Sequence, residues 1–293
     1  MKPIRIIPRL DIKGPNLVKG IYLEGLRVLG KPERFARYYY ENGADELIYM
    51  DVVASLYGRN SLTHILEKTS REMFIPLIVG GGLRTIEDIR QVLNRGADKV
   101  SLNTAAISNP ELIVEASKRF GSSTILVSIE AIKKPDGSYE AYTDNGREKT
   151  GLDVFEWACR VADLGAGEIM VTSINQEGTG KGFDIELTKK IAESVSIPVI
   201  ACGGAGSVSH IAEVITKGKA DAVSMASVLH YNFVKNYKME DDFSGEGNIE
   251  YLKKRQGLLK VEDTTIWEMK ENLIKNNIVC RYQRDREANA GVD

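Results

Sequence analysis

Two glycine clusters stand where short apolar runs stop. Gly80–Gly82 end the run in FIPLIVGGGLR (Phe74–Arg84), and Gly203 and Gly204 end the run in SIPVIACGGAG (Ser196–Gly206). Glycine lets backbone N–H groups come close to an anion. Each cluster is followed, some 20 residues on, by a small or polar helix start: Asn103 and Thr104 in the first copy, Ala226 and Ser227 in the second. A hydroxyl at a helix N-terminus completes an anion site. Glycines alone would serve equally well in tight turns. The matched pair, each with its polar helix start, points to two phosphate sites, Gly82/Asn103/Thr104 and Gly203/Gly204/Ser227. Two such sites at one mouth imply a substrate carrying a phosphate at each end. A second constellation is Arg5, Glu46, Lys99 and Glu168, two cations and two anions, each at the start of an apolar run. Charged side chains are rarely buried unless paired, so the four either seal an interior as a salt-bridged plug or gate it.

The elements that must position these residues form a repeat. IPLIVGGGLRTIEDIRQVLNRGADKVSLNTAAI (Ile75–Ile107) lines up with IPVIACGGAGSVSHIAEVITKGKADAVSMASVL (Ile197–Leu229), with one extra residue near Lys219. NGADELIYMD (Asn42–Asp51) matches LGAGEIMVTS (Leu164–Ser173), and RLDIK matches SIEAIK with one insertion. The pattern predicts strands at Ile4–Leu10, Glu46–Met50, Leu77–Val79, Lys99–Leu102, Thr124–Ile129, Glu168–Thr172, Val199–Ala201 and Ala222–Met225. Between them lie amphipathic helices such as TIEDIRQVLNRG, with Ile86, Ile89, Val92 and Leu93 on one face. Short buried strands alternating with helices make a parallel sheet with right-handed crossovers. An open doubly wound sheet is the alternative, but it has no reason to repeat four units twice. A closed (β/α)8 TIM barrel with a two-fold half-barrel repeat is therefore expected. Residues just after each strand then crowd the C-terminal rim, where barrel chemistry sits.

Composition narrows the partners. The formal net charge is −2 with 27% charged residues, which favours neither nucleic acid nor a membrane surface. No apolar run approaches the roughly 20 residues of a membrane span, and MKPIRIIPRLD lacks the features of a signal peptide. Three scattered cysteines, Cys159, Cys202 and Cys280, and three scattered histidines suggest no metal or redox motif. A cytoplasmic protein without cofactor or metal is expected.

At this point the residues resemble a family, the cyclase subunit of imidazole glycerol phosphate synthase. The likeness runs over about Pro3–His230 and resumes at about Thr264–Arg281, through RIIPRLDIK, LVKG, GADELIYMD, FIPLIVGGGLR, GADKVSLNTAAISNPELI, GAGEIMVTS, EGTGKGFD and SIPVIACGGAG. It implies a barrel that takes ammonia from a class I glutaminase subunit docked at its N-terminal face. The barrel joins that ammonia to a bisphosphorylated, ring-opened nucleotide, closes the imidazole ring and releases an aminoimidazole carboxamide ribonucleotide. Asp11 matches the first of two acid–base carboxylates, and Glu130 stands where the second is Asp. Lys19, Asp51, Gly82, Asn103, Thr104, Thr172, Gly178 and Ser227 match substrate-binding positions. Arg5, Glu46, Lys99 and Glu168 resemble an ammonia gate, and Asp98 a contact to the glutaminase.

Departures from the family are Arg9 for Cys, Asn145 for Ser, and Asn175 and Glu177 for two Asp residues. They leave open a paralogue that passes ammonia to a sugar amidotransferase for surface polysaccharide or nonulosonic acid synthesis. The sister isomerase, which needs no ammonia, is disfavoured by the four charges and by RIIPRLDIK. The expected organisation is a barrel over 1–231, a polar insertion over 232–263, a last barrel helix over 264–281 and a disordered tail over 282–293. The insertion follows strand eight and is either a mobile surface segment, a lid or a docking surface.

Overall fold

A computed structural model describes residues 2–54, 62–237 and 261–282. Eight parallel strands close on themselves: β1 (Arg5–Lys13), β4 (Leu47–Asp51), β5 (Leu77–Gly80), β6 (Lys99–Leu102), β7 (Ile125–Lys133), β10 (Glu168–Ser173), β11 (Val199–Cys202) and β12 (Ala222–Met225). The seam is the parallel pairing of β12 with β1, from Arg5 opposite Ala222 to Pro8 opposite Met225. Helices lie between these strands on the outside, so the chain is a (β/α)8 barrel. All eight predicted strands form, within one residue at their ends apart from β1 and β7, which run on by three and four residues to Lys13 and Lys133. Among the described residues no helix is long and apolar enough to cross a membrane.

Two hairpins were not foreseen. β2 (Asn16–Ile21) and β3 (Glu24–Gly30) extend β1, while β8 (Tyr139–Thr143) and β9 (Glu148–Asp153) extend β7. Each follows the first strand of its half, so the two-fold repeat includes them. The second turn is TDNG, in which Asp144, Asn145 and Gly146 all take positive φ, at 52°, 59° and 76°. Asn-Gly is a strong hairpin signal because both residues tolerate that conformation.

Side-chain alternation builds two cores. On β1, Ile6, Leu10 and Ile12 face the helices, where they join the main core with Phe35, Tyr39 and Leu273. Ile7 faces the bore and packs with Ile48, Ile78, Leu126, Met170 and Ile200. The helix Ile86–Asn94 shows how the outer layer is anchored: Thr85 and Asp88 form a capping box, and Ile89 and Val92 are buried. Ile86 and Leu93 are partly buried against the same core, as the spacing predicts.

The repeated GAD motif, GKAD in the copy that ends at Asp221, has a structural use. Asp45, Asp98 and Asp221 each accept a backbone N–H from the start of a neighbouring strand: Ile6 at 2.8 Å, Leu77 at 2.8 Å and Val199 at 2.9 Å. The fourth copy has Gly167 instead, because a Cβ there would lie 2.2 Å from the Ser122 carbonyl oxygen. Asp45 also anchors the last helix, Ile266–Lys275, through buried Lys270 at 2.8 Å.

The helix Ser227–Asn236 runs across the expected boundary at residue 231. Residues 238–260, most of the expected insertion, and 283–293, most of the expected tail, lie outside the described residues. Tyr282, assigned to a disordered tail from the sequence, instead packs edge-on to Trp267 with ring centroids 5.6 Å apart.

His230 on that helix is fully buried, with Nδ1 2.6 Å from the Tyr39 hydroxyl and Nε2 without a partner. Burial first, then nearby Lys19, holds its pKa down at about 3. The unfolded chain therefore takes up this proton first as pH falls, from about 6.5 downward. This contribution to stability is present above about 6.5 and is lost progressively toward about 3. The gap in unfolding free energy between wild type and His230→Leu should shrink across that window. A pH-independent gap in urea titrations would refute this assignment.

Candidate active site

The first anion cradle forms where β5 and β6 end. Gly81 and Gly82 take φ of +96° and +71°. A Cβ on Gly81 would meet the Asp51 carbonyl oxygen at 2.3 Å, so only glycine lets the loop pack this close. Asn103 precedes the helical turn Thr104–Ser108. Its Oδ1 is buried with no partner, while Nδ2 donates to the Tyr142 carbonyl at 3.4 Å. The Thr104 hydroxyl accepts from the Asp144 N–H at 3.2 Å and keeps its own proton to donate. A cavity of about 240 Å³ opens here, bordered by Asp51, Gly82, Asn103, Thr104, Ser128 and Glu130.

The second cradle forms where β11 and β12 end, and it is not an open copy of the first. Gly203 and Gly204 take φ of +91° and +103°, and a Cβ on Gly204 would lie 2.0 Å from the Gly182 carbonyl oxygen. Ala226 precedes the helix that Ser227 starts. The hydroxyls of Ser224 and Ser227 are buried without partners. Yet the space bordered by Glu177, Gly178, Gly203, Gly204, Ser224 and Ser227 is only about 10 Å³. The Glu177 side chain reaches into it, pairing with Lys19 of β2, which is itself 1% exposed. Burial works against the Lys19 charge, but Glu177 and then Asp11 outweigh it and hold its pKa above the usual lysine value.

Between the cradles lie the two carboxylates. Asp11 is buried and receives a hydrogen bond from Arg9 Nε at 2.8 Å. Arg9, also buried, reaches from β1 across the bore: Nη1 lies 3.3 Å from Thr172 Oγ1 of β10 and 3.8 Å from Cys202 Sγ of β11. Thr172, matched to a substrate-binding position, is thus fully buried against Arg9 and does not border the open cavity. Asp11 does not border it either; Glu130 does. Glu130 Oε2 accepts the Gly146 N–H at 2.8 Å, so the unforeseen β8–β9 turn holds it in place. Burial raises its pKa to about 7, against the lowering pull of Arg9 and the Gly146 bond, with Asp11 and Asp144 adding to the rise. A carboxyl with that value gives and takes protons near neutrality.

At the opposite mouth the four strand-start charges close into a ring. Arg5 bonds Glu46 at 2.9 Å and also Glu168, and Lys99 lies 3.2 Å from each of the same two carboxylates. Every acid therefore bridges both cations. Directly above lies the apolar storey of Ile7, Ile48, Ile78, Leu126, Met170 and Ile200. Asp98 is at the same mouth, exposed, beside a groove of about 510 Å³ that includes Phe74, which is 82% exposed.

The residues whose roles sequence reasoning missed are Arg9 and Glu177. In the sequence both stand only as departures from the family pattern. The one available signal for Arg9 was its period-two spacing with Arg5, Ile7 and Asp11, which sends all four into the bore.

The sequence is similar to known proteins. Residues 5–235 match the family model described as histidine biosynthesis protein. The chain is 58% identical over 206 residues to the imidazole glycerol phosphate synthase subunit HisF of Legionella pneumophila, covering 70% of this chain and 97% of that protein. It is 48% identical over 230 residues to the subunit of the same name from Alkaliphilus metalliredigens (strain QYMF), covering 78% of this chain and 91% of the relative.

Proposed function

The chain belongs to the histidine biosynthesis protein family, and from that premise we propose that it is the cyclase subunit of an imidazole glycerol phosphate synthase. It forms imidazole glycerol phosphate and an aminoimidazole carboxamide ribonucleotide from a bisphosphorylated nucleotide and ammonia. The observation that carries this reading is that both anion cradles and both carboxylates lie at one rim of the barrel, at the C-terminal ends of its strands. The first cradle takes one phosphate through the Gly82 and Asn103 region and the Thr104 hydroxyl. The second takes the other through Gly203, Gly204 and Ser227, with Lys19 as its cation. A substrate held at both ends spans the acid pair.

Asp11, ion-paired to Arg9, serves as the base that removes a proton from the nitrogen as it adds to the substrate. Glu130, near its midpoint at neutral pH, donates to the departing water and takes a proton back from the nitrogen that closes the ring. That closure breaks the carbon–nitrogen bond to the ribonucleotide, whose leaving amine takes the proton that Asp11 received. The reading as a conduit for a sugar amidotransferase draws no support from the relatives, both of which carry the synthase name.

A glutaminase subunit supplies the ammonia, docking at the N-terminal mouth near Asp98 and exposed Phe74. The ring of Arg5, Glu46, Lys99 and Glu168 then gates entry to the bore. Support comes from its composition: four charges with balanced pairing over an apolar passage suit a neutral molecule better than an ion. The cytoplasm is the proposed compartment, in keeping with three unpaired cysteines, Cys159, Cys202 and Cys280. Lys99→Ala leaves Glu46 and Glu168 with Arg5 alone and unbalances the ring. Glutamine-dependent turnover should fall about tenfold or more, while turnover with added ammonium changes by less than about threefold. Equal losses with both nitrogen sources would make the ring a structural plug.

A further inference from the structure

We propose that Glu177 is a specificity-determining residue: its carboxylate occupies the second cradle as an internal anion, so that only a dianionic phosphate displaces it from Lys19. This rests on the phosphate-binding reading of that cradle and names what the cradle selects.

The two cradles share a plan but differ in contents. The first is open at about 240 Å³, and the second is nearly filled at about 10 Å³. A Cβ on Gly203 would lie 3.1 Å from Glu177 Oε2, so the carboxylate sits against the glycine that would approach a phosphate. Two buried hydroxyls around it, Ser224 and Ser227, have no partner and remain ready to donate. The opposing charge is Lys19, buried and paired to Glu177.

The Glu177 backbone is pinned. Its N–H donates to the Ser173 carbonyl at 2.9 Å, and its carbonyl accepts from Tyr22 N at 2.9 Å. The next residue, Gly178, packs so closely on β2 that a Cβ would lie 2.6 Å from the Gly20 carbonyl oxygen. The loop therefore cannot withdraw, and the side chain alone must swing out. A buried cation left without an anion is strongly unfavourable, so Lys19 must be handed from one anion to another. A phosphate monoester brings about −1.5 to −2 charges and three acceptor oxygens, enough for Lys19 and both serines together. A carboxylate or hydroxyl end group offers no more than Glu177 already provides and gains nothing by the exchange. The cradle thus selects a phosphate monoester at that end of the substrate.

The test uses the full chain alone, with amide NMR shifts followed during titration with inorganic phosphate. Gly203, Gly204 and Ser227 report the second cradle, and Gly82 and Thr104 report the first as an internal control. In Glu177→Gln the second cradle should bind phosphate about tenfold or more tighter than in wild type, with the first cradle unchanged within about twofold. Glu177→Asp keeps the charge on a shorter arm and should fall between the two. Lys19→Met in the Glu177→Gln background should abolish the second-cradle response. Equal affinity of the second cradle in wild type and Glu177→Gln, with the first responding normally, would overturn the proposal while leaving the phosphate reading intact. Silence of both cradles in every variant would remove the phosphate reading and the proposal with it.

Discussion

Asp11→Asn should lower ammonium-dependent ring closure by about two to four orders of magnitude, the range spanned by loss of a general acid–base group. Asparagine preserves the shape and keeps an oxygen to accept from Arg9 Nε, which now bonds Asp11 at 2.8 Å. What it removes is the proton acceptor and the negative charge that balances Arg9. The protein should still fold, with a stability loss of about 3–5 kcal/mol from leaving buried Arg9 without its counter-charge. Phosphate affinity at the first cradle should be unchanged, since Asp11 does not border that cavity. Single-turnover assays with ammonium salts check the prediction without any glutaminase. Retention of more than about a tenth of the wild-type rate would exclude Asp11 as the base.

Glu130→Gln should have opposite effects on activity and stability. Turnover should fall by about 100-fold or more, because an amide cannot exchange a proton. Stability should rise at neutral and alkaline pH. The sign follows from the shift. Burial pushes the Glu130 carboxyl from its ordinary value of about 4.5 to about 7. As pH rises past 4.5 the unfolded chain ionises first, so this group destabilises the fold progressively and fully above about 7. The shift corresponds to about 3 kcal/mol at that plateau. Glutamine avoids this cost and still accepts the Gly146 N–H. Unfolding titrations should therefore show the variant gaining on wild type between about pH 4.5 and 7, then running parallel to it. A variant no more stable than wild type at pH 8 would show that Glu130 is not held in a charge-averse site. Wild-type activity should also track one ionisation near neutrality, and Glu130→Asp, which restores the acid on a shorter arm, should retain turnover.

The barrel was legible because periodicity alone encodes it. Apolar runs of four or five residues, such as LIVG and VIAC, have nowhere to go but a strand buried on both faces. The half-chain repeat doubled the evidence for each of them. Gly81 and Gly204 were legible for the same reason: their positions require close backbone approach that any Cβ would block. The strand-start charges were legible as a set because inward alternation sends Arg5, Glu46, Lys99 and Glu168 to one mouth. The β2–β3 and β8–β9 hairpins were missed although TDNG carries a plain turn signal, since a helix was expected to follow each barrel strand directly.

By itself, the sequence determined the number and order of the eight barrel strands, the two glycine cradles and the choice of charged types at the lower mouth. These depend on local spacing and backbone sterics, which neighbours in the chain set. Only the tertiary structure decided which charges meet. Arg9 finds Asp11 on its own strand but Thr172 and Cys202 across the bore, 163 and 193 residues away. Lys19 finds Glu177 across 158 residues. Glu130 acquires its near-neutral pKa from burial, which outweighs the lowering pull of Arg9 across the barrel and of the Gly146 N–H sixteen residues later. Spacing along the chain cannot report such contacts, because closure of the barrel brings them together and a charge takes its partner from whatever shares its low-dielectric interior.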